Sequence, residues 1–212
     1  LYSGKDLFES LEKIKASGYN DFEFWTWWDR DIEKLQQAKE TLGMTVTTFC
    51  TRFISLVDPA QREAYIKGLE ESIVVAKRLG CKQLITQTGN DTNEDRKKQK
   101  KELIRGLKAC VPILEANDIT LLVEPLNTRV DHKGYYLHSS AEAFDIIDQV
   151  GSEHVKVLFD IYHQQIMEGD IISRIRENID KIGHFHAAGV PGRHELDEGE
   201  LNYQSIFAEI DN

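Results

Sequence analysis

Cysteine is scarce in this 212-residue sequence, with only Cys50, Cys81 and Cys110. Three widely spaced thiols cannot build a disulfide framework and do not match a zinc-finger spacing, so they read as reduced groups in a cytoplasmic protein. Cationic charge is also in short supply: 26 Lys and Arg face 36 Asp and Glu, for a net charge of −10. That balance argues against nucleic acid or an anionic membrane surface as partner, the short basic run Arg96 to Lys101 notwithstanding. No apolar run approaches the ~20 residues that span a bilayer, and no signal-peptide pattern is visible. Neither a Gly-x-Gly-x-x-Gly turn nor a Walker-type loop is present, which weighs against dinucleotide and nucleotide binding.

What is present is a repeated design. Ile119-Thr120-Leu121-Leu122-Val123 is an apolar and β-branched run that stops at Glu124, and Pro125 then blocks further regular pairing. Val155 to Phe159 likewise ends at Asp160, and Ile182 to Phe185 runs into His186. The three polar ends are spaced by about a strand plus its crossover helix. Three consecutive buried parallel strands would each deliver one metal-type ligand to a common rim.

The rest of the chain alternates in the same way. Helices are expected over Lys5 to Ser17, Asp31 to Leu42, from Asp58-Pro59 to about Gly80, and over Glu94 to Ala116 with a kink at Pro112. A capping box at Ser139 and Glu142 opens another helix through Ile147. One helix is expected through Ile171, Ile175 and Ile179, and a short one over Asn202 to Ile210. Strands are expected over Asp21 to Trp25, Met44 to Cys50 and Lys82 to Gln87. With 41% hydrophobic residues, a helix followed by six strand–helix units describes a single α/β domain over 1–212. Right-handed crossovers leave an open doubly wound sheet or a barrel, and the missing nucleotide motifs favour the barrel.

Glu124, Asp160 and His186 form an oxygen and imidazole set suited to Mn²⁺, Mg²⁺, Co²⁺ or Zn²⁺. Such an ion could polarise a carbonyl while a carboxylate moves a proton between adjacent carbons. Each residue has a plainer alternative, as a helix cap or the partner of a lysine. His163, three residues past Asp160, is a candidate for orienting a ligand or holding a substrate oxygen. Arg193, in the loop Gly189 to Gly199, suits a substrate carboxylate, or else pairs with Glu195 on the surface. Trp25, Trp27 and Trp28 either wall a pocket or fill core. Gln87 closes its strand at the same rim, as does Cys50, which without an adjacent base is read as a small buried hydrophobe. His184 is assigned to packing or support, facing away from His186.

Four stretches carry a family resemblance: Glu23 to Trp28, Val123 to Arg129, Phe159 to Asp170, and Val190 to Glu195 with Gly199 to Tyr203. On these the chain resembles the sugar isomerase and epimerase superfamily of xylose isomerase-like, metal-dependent TIM barrels, above all hydroxypyruvate isomerase-like proteins. The resemblance implies a (β/α)8 barrel whose first strand precedes Leu1 and whose eighth follows Asn212 with a second Glu. It also implies that Glu124 is metal ligand and acid/base, that Asp160 and His186 bind metal, and that His163 contacts substrate. Hydroxypyruvate isomerases often carry Gln where this chain has His186; a His there is more like the ketose epimerases.

The function so implied is a metal-dependent isomerase of a small sugar or hydroxy acid, working by aldose–ketose proton transfer through an enediolate. The alternatives are a ketose 3-epimerase, an endonuclease of abasic DNA, disfavoured by charge, and a non-catalytic small-molecule binder. Opening a barrel leaves two strand edges, which predicts association, such as a homo-oligomer, or instability.

Overall fold

A computed structural model describes residues 6–211. Helix α1 (Leu7–Ala16) precedes six strands: β1 (Asp21–Phe24), β2 (Thr45–Cys50), β3 (Gln83–Thr86), β4 (Thr120–Val123), β5 (Val155–Asp160) and β6 (Ile182–His186). Between and after them lie α2 (Ile32–Leu42), α3 (Arg62–Leu79), α4 (Arg96–Asn117), α5 (Ser140–Val150), α6 (Ile161–Met167), α7 (Ile171–Asn178) and α8 (Tyr203–Ile210). The strands pair in chain order, all parallel.

Curvature separates a barrel from an open sheet. Five steps of ~4.8 Å would hold the first and last strands of a flat sheet about 24 Å apart. Yet Glu23 on β1 and His184 on β6 approach to 3.2 Å, and Gln83 on β3 donates to the Gly183 carbonyl at 3.1 Å. The sheet is therefore curled into a partial barrel of six strands, and the barrel expectation holds. Among the described residues no strand covers the outer edges of β1 and β6.

Period-two alternation then sorts the side chains. Phe49, Leu84, Leu121, Val123, Val157 and Phe159 join the large cluster shared with the helices, whereas Cys50, Ile85, Leu122 and Leu158 form a separate small one on the concave face. Strand β6 fits by a bulge: Val157 pairs with Ile182 and Leu158 with His184, leaving Gly183 over. A Cβ at 183 would come within 2.6 Å of Leu122 Cδ2, so glycine is needed there.

Short polar side chains open most helices, as Asp6, Asp31, Asp95, Ser139, Asp160 and Asn202 each accept from a first-turn N–H. The expected start of α1 at Lys5 lies outside the described residues. Three expectations need correction. Pro59 opens a 3-10 turn, and α3 begins only at Arg62. The single helix after Asp160 is two, because Gly169 and Asp170 are both left-handed and break it, and Ile179 falls in a 3-10 turn. The capping box is half made: Ser139 accepts from Glu142 N, but the Glu142 carboxylate turns to Arg96 and the Tyr136 hydroxyl. Helix α4 continues through Pro112 to Asn117. All three cysteines are free and buried, and no described helix is long and apolar enough to cross a membrane.

Candidate functional site

The alternation that places Leu122 and Leu158 on the concave face carries two residues further to Glu124 and Asp160, and His184 carries to His186. Register supplies the remaining alignment, with Asp160 opposite His186. His186 Nδ1 consequently lies 3.8 Å from Glu124 Oε1 and 4.0 Å from Asp160 Oδ2. Glu124 and Asp160 are each 2% exposed. The three predicted ligands thus converge, with donor atoms all within 4.8 Å of one another. Separations near 4 Å fall within the span that bonds of ~2.1 Å to one ion allow, so the residues fit a divalent cation.

Asp160 serves two roles at once. Its Oδ1 caps α6, accepting from Tyr162 N at 2.8 Å and His163 N at 3.3 Å, while Oδ2 faces the cluster. Burial, with the nearby Glu124 charge, pushes its carboxyl up to about 6. Burial alone would lower the His186 imidazole, but the carboxylates of Glu124 and Glu23 outweigh it and hold it at about 10.

His163 is 1% exposed and hydrogen-bonded to Asn127. The Asn127 backbone N–H, which can only donate, reaches its Nδ1 at 3.2 Å, so the ring's proton sits on Nε2, 3.5 Å from Asp160 Oδ2. Burial, helped by the Arg193 charge, drops this imidazole to about 3 and keeps it neutral. Arg193 itself lies over the Tyr162 ring at 4.9 Å, with Nη2 3.7 Å from Asp160 Oδ2. Its carboxylate partner among the described residues is therefore Asp160 and not Glu195. The loop that presents it is closed tightly: Glu200 N donates to the Val190 carbonyl at 2.8 Å, and a Cβ on Gly199 would lie 2.2 Å from that oxygen.

The tryptophans divide. Trp25 meets the His186 ring edge-on at 5.8 Å and borders the site, half-exposed. Trp27 instead donates to Ser72 Oγ at 3.1 Å beneath the Arg52 guanidinium, which is the packing alternative. Gln87 donates to Cys50 Sγ at 3.6 Å, leaving its Oε1 buried without a partner at the concave face.

The assignment of His184 to the far side of its strand is wrong. Residues two apart share a face, and the two imidazoles lie 5.2 Å apart. Both also reach Glu23, which went unnoticed as a site residue: His184 Nε2 is 3.2 Å from Oε2 and His186 Nε2 is 3.0 Å from Oε1. Burial would raise the Glu23 carboxyl, but the two imidazoles hold it down at about 2. Glu23, His184 and His186 also satisfy the spacing for a metal ion. The signal for Glu23 was its place two residues before Trp25, on the same face.

A closed-in parallel sheet with acids and an imidazole at its strand ends defines a class, and sequence comparison agrees: residues 11–212 match the model of the xylose isomerase-like TIM barrel family, to which the chain belongs. Within it the chain is an isomerase. It is 32% identical to hydroxypyruvate isomerase of Escherichia coli over 222 aligned positions, covering 100% of this chain and 85% of that one. It is 30% identical to 2-oxo-tetronate isomerase of Cupriavidus necator, covering 100% and 84%. Among solved structures, that of AP endonuclease, family 2, from Brucella melitensis superposes with a TM-score of 0.94 at 27% identity, covering 100% of this chain and 84% of that chain.

Proposed function

We propose that this chain is a divalent-metal-dependent isomerase that interconverts a small 2-hydroxy aldehyde and its ketone, such as tartronate semialdehyde and hydroxypyruvate. The observation that carries the reading is the convergence of Glu124, Asp160 and His186 from three strand ends. These residues would hold the ion, and their oxygen and imidazole donors suit Mn²⁺, Mg²⁺, Co²⁺ or Zn²⁺ alike. When bound, the ion supplies Lewis-acid polarisation of adjacent carbonyl and hydroxyl oxygens.

The chain's own groups do the rest. Glu124, buried at the end of β4, takes the proton from one carbon and returns it to its neighbour through an enediolate. His163, with its proton on Nε2, is a neutral donor for a substrate oxygen. Arg193 is 42% exposed on its side chain, so its fork can reach a substrate carboxylate as well as Asp160. Trp25 walls the open side, and Gln87 offers an unpaired carbonyl oxygen to a hydroxyl. In this reading one domain acts in the cytoplasm on a small molecule, without nucleic acid or membrane, and copies of it form a homo-oligomer.

The test is isomerisation assayed with Mn²⁺ in the wild type and Glu124→Gln. A loss of about 10²–10⁴-fold is expected; full activity in the variant removes Glu124 from the proton transfer. A ketose 3-epimerase is the second reading, favoured by the imidazole at 186, and deuterium from solvent appearing at C3 of a ketohexose would select it.

A further inference from the structure

His186 presents two nitrogens to two different surroundings. Nδ1 looks toward Glu124 and Asp160, while Nε2 is buried and has no acceptor in line for a hydrogen bond. Its nearest oxygen is Glu23 Oε1 at 3.0 Å, and the other oxygen of that carboxylate is engaged by His184 Nε2 at 3.2 Å. An imidazole that coordinates through one nitrogen carries its proton on the other, and what accepts that proton fixes the ring's tautomer and direction. A buried N–H left without an acceptor is costly, and a small rotation of the Glu23 carboxylate brings one into line.

We propose that Glu23 is a positioning residue for His186: its Oε1 accepts the hydrogen bond from Nε2–H, so that Nδ1 is left with the lone pair aimed between Glu124 and Asp160. His184 completes the device by holding Oε2, which keeps the carboxylate turned toward its neighbour. The strands that carry these groups do not pair with each other, so the link runs through side chains alone. This proposal rests on the metal centre described above.

The experiment is a calorimetric Mn²⁺ titration of wild type, Glu23→Ala, Glu23→Gln and His184→Ala, with histidine ¹⁵N spectra of the Zn²⁺-loaded proteins. The His186 Nε2–H signal is identified by its loss in His186→Ala. Glu23→Ala should weaken Mn²⁺ binding about 10–100-fold and abolish that signal. Glu23→Gln keeps an oxygen acceptor, so it should retain the signal and most of the affinity, and His184→Ala should fall between it and wild type. A wild type that binds no Mn²⁺ overturns the metal centre and this proposal with it. Unchanged affinity and an unchanged Nε2–H signal in Glu23→Ala, with wild type binding, overturn the proposal and leave the metal centre standing. Two bound ions, one lost in Glu23→Ala while the other keeps its affinity, would make Glu23 a ligand of a second cation and overturn the positioning role.

Discussion

The two halves of the site are built differently. On the β4–β5 side, Glu124 and Asp160 end strands that pair directly, and His163 is tied to the Asn127 backbone; all three side chains are nearly inaccessible. On the β1–β6 side, Glu23, His184, His186 and Trp25 meet with no backbone pairing between their strands, and Glu23 and Trp25 are partly exposed. Main-chain ladders position the first half and align His184 and His186 with it, whereas Glu23 and Trp25 meet those two imidazoles only through charge and ring contacts. Both halves should respond to pH, but differently: the first, through the buried His163, should lose stability as pH falls, whereas the second, through His186, should lose it as pH rises above neutral.

The largest effect is expected at Asp160. Both Asp160→Asn and Asp160→Ala should abolish Mn²⁺ binding by calorimetry, but they should part in thermal unfolding of the ion-free protein. Asn keeps the oxygen that caps α6, whereas Ala loses it at about 1 kcal/mol. Equal unfolding temperatures would deny Asp160 its capping role. Next comes the concave cluster beneath the ligands: Leu158→Ala, fully buried on β5, should cost about 2–5 kcal/mol by urea denaturation. A cost near zero would mean that the inner face is not packed as described.

The β1–β6 half should show itself in pH. His186 is raised to about 10 when folded, above its ordinary 6.5, so its stabilisation is complete below 6.5 and is lost as pH rises through about 10. Glu23 is depressed to about 2, so its contribution is present above 4.5 and is lost as pH falls toward 2. The urea midpoint of the ion-free protein should fall between pH 7 and 10, and His186→Asn should flatten that fall. On the other side, His163 is depressed to about 3; its contribution is present above 6.5 and fades as pH drops toward 3, a slope that His163→Asn should remove. A slope unchanged by either variant would break the comparison.

Smaller effects separate substrate contacts from scaffold. Arg193→Ala should raise KM for a carboxylate-bearing substrate about 10–100-fold while leaving the Mn²⁺ affinity near that of wild type. An unchanged KM would return Arg193 to the surface. At the weak end, Lys82 and Asp118 pair at 2.7 Å with both side chains well exposed, and Lys82→Ala should cost less than about 1 kcal/mol.

Much of this was legible in the chain alone, because the relevant patterns are local. Alternation of apolar and polar residues marks a strand and its faces, and a carboxylate or imidazole at the end of such a run inherits the face of the residue two before it. That is why Glu124, Asp160 and His186 could be placed at one rim before their distances were known, and why misjudging that same rule sent His184 to the wrong side. The break between α6 and α7 was less visible, since it depends on Asp170 taking a left-handed conformation that its residue type permits but does not demand. What the tertiary structure alone decided was the meeting of Glu23 with His184, 161 residues away. No local pattern encodes that contact, because it exists only when the accumulated twist of six paired strands curls the sheet until its first and last members face each other across the barrel.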